Sequence, residues 1–160
     1  MGQILNIETS TEVCSVALAK DGRLLFGEKN NEGLNHSELL TVFIEKLLHE
    51  NAVAGGTIDA VAVSKGPGSY TGLRIGVSVA KGLCYALNKP LIAVGTLDAM
   101  GNYTARNPEE FNVGTSLKNT LFCPMIDARR MEVYTSLYDI SGQQIEPVTA
   151  KIIDESSFSS

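Results

Sequence analysis

Ser64-Lys65-Gly66-Pro67-Gly68-Ser69-Tyr70-Thr71-Gly72-Leu73-Arg74-Ile75-Gly76 is the stretch where a strand ends, a glycine-rich turn intervenes and a helix begins. Before it, Ile58 to Val63 reads as a short buried strand. Gly66, Pro67 and Gly68 make a tight turn. From Tyr70 the apolar spacing becomes helical and continues to Leu87, where Asn88-Lys89-Pro90 ends the helix. Such a turn leaves backbone N–H groups unpaired at a helix N-terminus, so Ser69 and Thr71 are candidates for holding an anion. It serves equally well as a rigid corner that sets a helix against a sheet. Within the helix, Gly72, Gly76 and Ala80 recur at a spacing of four, a row that lets another backbone approach closely.

Upstream of this corner lie three strand signals in succession. Gln3 to Glu8 reads as a buried strand, and Glu8-Thr9-Ser10-Thr11-Glu12 as a polar turn. Val13 to Ala19 alternates, Lys20-Asp21-Gly22 is a hairpin signal, and Arg23 to Glu28 completes an antiparallel meander. After the polar loop Asn30 to Asn35, Asn35 with Glu38 resembles a capping box. The helix it opens carries Leu39, Leu40, Phe43, Ile44, Leu47 and Leu48, widened by Val42. That stripe is broader than a helix on one sheet needs, which fits either deep burial or a second packing partner. Downstream of the corner, Leu91 to Val94 reads as a strand, and a helix runs from Thr96 to about Thr104. Strand–helix–strand spacing predicts right-handed parallel crossovers.

The chain has 160 residues, 44% of them hydrophobic and 19% charged, which is a globular composition. A net charge of −5 is the wrong sign for a standalone nucleic-acid binder. No apolar run is long enough for a membrane span, and no basic leader precedes the first strand. Three scattered cysteines, Cys14, Cys84 and Cys123, read as reduced thiols of a cytoplasmic protein rather than a disulfide framework. His36 and His49 are the only histidines, too few for a metal site without several carboxylates, so no metal is expected.

The second part of the chain echoes the first. Arg106 to Asn119 is polar and reads as a linker between a lobe at residues 1–105 and the start of another at 120–160. Thr120 to Ile126 reads as a strand, Asp127-Ala128-Arg129-Arg130 as a turn, and Met131 to Asp139 as an alternating strand. Ser141-Gly142 then turns into a further strand. Ile7-Glu8 with Glu12-Val13 corresponds to Ile126-Asp127 with Glu132-Val133, and Gly22 to Gly142. Only Lys151 to Ser160 follows the second meander, which predicts an incomplete second lobe.

Two lobes that each open strand–acidic turn–strand–strand resemble the actin/hexokinase/Hsp70-like ATPase (ribonuclease-H-like) superfamily. That is an α/β lobe with a mixed sheet and flanking helices. Ile7-Glu8-Thr9-Ser10-Thr11, His36-Ser37-Glu38, the glycine string Gly66 to Gly76, and Asp127-Ala128-Arg129-Arg130-Met131-Glu132-Val133-Tyr134 together closely resemble the bacterial TsaB (YeaZ) family. The resemblance runs from Ile4 to about Tyr138.

It implies a non-catalytic, cytoplasmic subunit in the synthesis of threonylcarbamoyladenosine at position 37 of tRNAs that read codons beginning with A. The implied partners are a TsaD-like transferase, which holds its metal through a His-x-x-x-His pair, and a TsaE-like ATPase. A homodimer is implied for the isolated chain, with tRNA contacted only indirectly. In the family the first two helices meet a second chain. The resemblance therefore makes Leu39, Leu40, Phe43, Leu47, Gly72, Arg74, Ile75, Gly76, Ser78 and Lys81 candidate contacts. The superfamily's phosphate loops fall on Glu8–Thr11 and Asp127–Arg130, so Thr9, Ser10, Thr11 and Asp127 join Ser69 and Thr71 as anion candidates. Thr9 and Ser10 stand where kinases carry glycine, which argues against ATP hydrolysis and leaves ATP or ADP at a partner interface. A small-molecule kinase or ATPase is the alternative reading. A glycoprotease-like metallopeptidase is a third, although His36 is followed four residues later by Leu40 rather than a second histidine.

Overall fold

The structure, a computed structural model, describes residues 2–31, 35–111 and 120–157. The described chain divides into two compact units, Met1–Val94 and Gly95–Ser160.

In the first unit β1 (Gln3–Glu8), β2 (Cys14–Lys20) and β3 (Arg23–Asn30) form the expected meander. Asp21 and Gly22 both take positive φ at the first hairpin, the conformation its tight turn requires. After α1 (His36–Glu50), β4 (Ala60–Ser64) adds parallel to β1, pairing Ile4 with Ala60 and Ile7 with Val63. α2 (Tyr70–Leu87) then crosses to β5 (Leu91–Val94), which is parallel to β4. The sheet order β3-β2-β1-β4-β5 is that of a ribonuclease-H-like lobe. β4 is flanked by parallel partners, and all five of its residues are buried, as its unbroken Ala-Val-Ala-Val-Ser run requires. One sheet face, carrying Leu5, Ile7, Val16, Leu18, Val61 and Val63, closes on Leu40, Ile44 and Leu47 of α1 and Ala80 of α2.

In the second unit α3 (Thr96–Arg106) is followed by a three-stranded antiparallel sheet, β6 (Met125–Arg129), β7 (Glu132–Tyr138) and β8 (Gln144–Ile152). This repeats the meander of the first unit. Leu97, Phe122 and Tyr138 make its core. The Tyr138 hydroxyl donates to Asp98 at 2.7 Å, so α3 and β7 are pinned by a part-buried polar contact as well as by packing.

The structure differs from the sequence expectations in five places. α3, assigned on sequence to a lobe ending at 105, packs on β7 and β8 of the second unit. Part of the predicted linker, Pro108–Phe111, is a short 3-10 helix, and residues 112–119 lie outside the described residues. The predicted strand Thr120–Ile126 is replaced by an isolated bridge between Phe122 and Tyr138, with β6 beginning only at Met125. Pro124 has no N–H to donate to a ladder, which explains the break. The predicted turn at Asp127–Arg130 moves one residue on: Arg129 still pairs with Glu132, and Arg129, Arg130 and Met131 carry the positive φ values. Asn35 does sit at the α1 N-cap, but its side chain makes no capping hydrogen bond.

Candidate partner-binding site

The β1–β2 turn and the start of α2 are built into one another. The Thr9 hydroxyl, fully buried, donates to the carbonyl oxygen of Gly72 at 2.8 Å. A Cβ placed on Gly72 would run into the Thr9 carbonyl oxygen, and one on Gly76 into the Thr9 hydroxyl. Gly68, at φ +152°, leaves just enough room for the backbone of Ser10, whose carbonyl accepts the Ser69 N–H at 2.6 Å. Glu8 completes the assembly. One carboxylate oxygen accepts the Ser10 N–H at 2.7 Å, and the other accepts the Ser64 hydroxyl at the end of β4. Ser69 caps the helix by accepting the Gly72 N–H at 3.3 Å.

These contacts engage three of the residues that were expected to hold an anion, Thr9, Ser10 and Ser69. Thr9 and Ser10 are 0% and 1% exposed. The Thr9 hydroxyl is bonded to Gly72, and the Ser10 N–H and carbonyl to Glu8 and Ser69, while the Ser10 hydroxyl has no partner among the described residues. Of the residues expected to hold an anion, Thr9 and Ser10 are thus buried against the glycine turn, and Ser69 is engaged as the cap of α2. Thr11 is exposed, and its hydroxyl accepts the Val13 N–H at 3.2 Å. Thr71 is exposed on the first turn of α2. Asp127 lies in the second unit, where its carboxylate accepts the Arg129 N–H at 2.7 Å.

The row of small residues has the same explanation. Gly72, Gly76 and Ala80 are the buried residues of α2, facing the chain's own sheet, and Leu40 and Leu47 belong to the core. Leu40, Leu47, Gly72 and Gly76, expected on sequence to touch a partner, pack within the chain. The remaining contacts stay accessible. Leu39, Phe43 and Ile75 are half-buried at the edge of the core, and Arg74, Ser78 and Lys81 are exposed along α2. α1 and α2 pack directly on one another.

Beside them is an open groove of about 320 Å³ lined by Tyr70, Leu73, Arg74, Val77 and Ser78. Tyr70 is 75% exposed, and the Arg74 guanidinium lies 5.4 Å from the centre of its ring. Val42 on α1 is 52% exposed. Sequence reasoning missed Tyr70, Leu73 and Val77. Their i, i+3, i+7 spacing along the start of α2 was the available signal.

His36 begins α1 and is buried at 2% exposure, with Nε2 unpartnered among the described residues. Among those residues no three His, Cys, Asp or Glu side chains converge on a point that would hold a metal ion. Burial pushes the Cys14 thiol up, so it is a packed apolar group rather than a ready nucleophile. No helix among the described residues is long and apolar enough to cross a membrane.

The sheet order, the flanking helices and the repeated meander define an α/β fold of the actin/hexokinase/Hsp70-like type. The family model for TsaD, tRNA N6-adenosine threonylcarbamoyltransferase, matches residues 32–157. The chain is 34% identical over 145 residues to the tRNA threonylcarbamoyladenosine biosynthesis protein TsaB of Bacillus subtilis, covering 91% of this chain and 58% of that protein. It is 36% identical to TsaB of Escherichia coli, over 85% of this chain and 54% of that one. YeaZ from Pseudomonas aeruginosa superposes with a TM-score of 0.77 at 32% identity, over 96% of this chain and 68% of that one. The chain belongs to the TsaB (YeaZ) family, a branch of the TsaD-like proteins. It spans between 52% and 58% of the length of the TsaB proteins of B. subtilis, E. coli and Haemophilus influenzae.

Proposed function

We propose that this chain is an accessory, non-catalytic subunit in the synthesis of threonylcarbamoyladenosine at position 37 of tRNA. It binds and activates a TsaD-like transferase through the accessible face of α1 and α2, and uses that same face to dimerise when alone. The observation that carries the reading is the combination on α2. Its inner face is locked to the chain's own β1–β2 turn, while its outer face displays Tyr70, Arg74, Ser78 and Lys81 with no partner element over them among the described residues. Aromatic and arginine side chains of this kind are the usual anchors of protein interfaces. The filled β1–β2 turn supports a role without ATP hydrolysis of its own. It leaves any ATP or ADP to an interface with the transferase or with a TsaE-like ATPase. The chain's acidity supports tRNA contact through those partners.

The test is threonylcarbamoyl transfer to tRNA, followed with a radiolabelled donor. The transferase is assayed with its other factors, in the presence and absence of this chain. The chain alone is expected to transfer nothing, and its addition to raise the transferase rate. A rate independent of the chain would refute the proposed function.

A further inference from the structure

We propose that Thr9 is the positioning residue for the partner-facing surface of α2, an inference that rests on the reading of that surface above. Its hydroxyl, wholly buried, is bonded to the Gly72 carbonyl, and both glycines that face it leave no room for a side chain. The axial position of the helix is fixed at the same place by the bond from the Ser69 N–H to the Ser10 carbonyl. The turn itself cannot drift, because Glu8 ties the Ser10 N–H and the Ser64 hydroxyl to the ends of β1 and β4.

The groove-lining residues Tyr70, Leu73, Arg74 and Val77 alternate along the same two helical turns with Gly72 and Gly76. A helix is stiff over that length, so a displacement of the glycine face carries the groove with it. Packed interfaces are as dense as protein interiors, and an offset of a fraction of an ångström is felt there. The β1–β2 turn thus sets the height and rotation of the helix that carries the groove.

The experiment compares four variants of the full chain binding a TsaD-like transferase, by calorimetric titration, with denaturation midpoints measured in parallel. Thr9→Val keeps the shape and removes the hydroxyl. Thr9→Ala removes it without steric load and decides the question if Thr9→Val fails to fold. Thr9→Ser keeps the hydroxyl. Tyr70→Ala with Arg74→Glu alters the exposed surface and leaves the core untouched. The double surface variant and the hydroxyl-free variants are each expected to weaken binding at least about tenfold, and Thr9→Ser to bind like the parent chain. Wild-type affinity of folded hydroxyl-free variants, alongside a weakened surface variant, would overturn the positioning role and leave the interface standing. An unaffected surface variant would overturn the interface itself. Loss of stability in Thr9→Val or Thr9→Ala without loss of affinity would reduce Thr9 to a structural residue.

Discussion

Thr9 and Gly72 are 63 residues apart in sequence and joined by a buried hydrogen bond of 2.8 Å, which ties the β1–β2 turn to the first turn of α2. The glycine is required there because a methyl group would overlap the Thr9 carbonyl oxygen, which belongs to backbone and cannot swing aside. Gly72→Ala and Gly76→Ala are therefore expected to destabilise the chain by roughly 1–3 kcal/mol, despite the better helix propensity of alanine. Gly82 lies on the same helix with nothing near its absent side chain. Gly82→Ala is expected to stabilise by roughly 0.5–1 kcal/mol. Urea denaturation of the three variants checks the contrast in sign.

Ser10 carries a buried hydroxyl that finds no partner among the described residues, while its backbone N–H and carbonyl are both bonded. Burying an unsatisfied hydroxyl is unfavourable, so Ser10→Ala is expected to be neutral or to stabilise by up to about 1 kcal/mol. The same denaturation measurement decides it. A clear destabilisation would show that the hydroxyl has a partner.

Burial, with the bond to the Asp98 carboxylate, holds the Tyr138 phenol above its usual range. The folded state thus keeps the proton more tightly than the unfolded chain. The stability this confers is present in full below the unfolded phenol value, about pH 10, and is lost as pH rises through the higher folded value. Tyr138→Phe is expected to lower stability at neutral pH by roughly 1–2 kcal/mol. It is also expected to flatten the dependence above pH 10. Thermal melts of both chains between pH 8 and 11 read the difference, and parallel curves would remove Tyr138 as its source.

Arg129, Arg130 and Met131 hold three successive left-handed conformations at the tip of the β6–β7 hairpin, and none of them is glycine. Each costs on the order of 1 kcal/mol relative to a glycine at the same φ. Met131 is 73% exposed, so its side chain returns little packing energy. Met131→Gly is expected to raise the denaturation midpoint of the chain, and a lowered midpoint would show a role for the methionine side chain.

Most of the architecture is legible in the residues. The span of α2 is fixed by the glycine–proline turn before Tyr70 and by Asn88, which adopts the left-handed cap conformation. The first meander follows from alternation and from Asp21-Gly22. The orientation of the small-residue row was not legible. A spacing of four places Gly72, Gly76 and Ala80 on one face, but the group that meets the two glycines is a threonine in a turn 63 residues before Gly72. Likewise, the broad stripe on α1 does not say which edge is core. The structure sends Leu40, Ile44 and Leu47 inward and leaves Leu39 and Phe43 at the margin. The late start of β6 was legible in principle, because Pro124 interrupts the run that alternation alone extends.

Direct association tests the proposed function most simply. The chain and a TsaD-like transferase are mixed and followed by sedimentation velocity, with Arg74→Glu/Lys81→Glu as the comparison. A new, faster-sedimenting one-to-one species that the double charge reversal abolishes is the expected result. Independent sedimentation of the two proteins at all concentrations, or a complex indifferent to the reversal, would contradict recognition through α2.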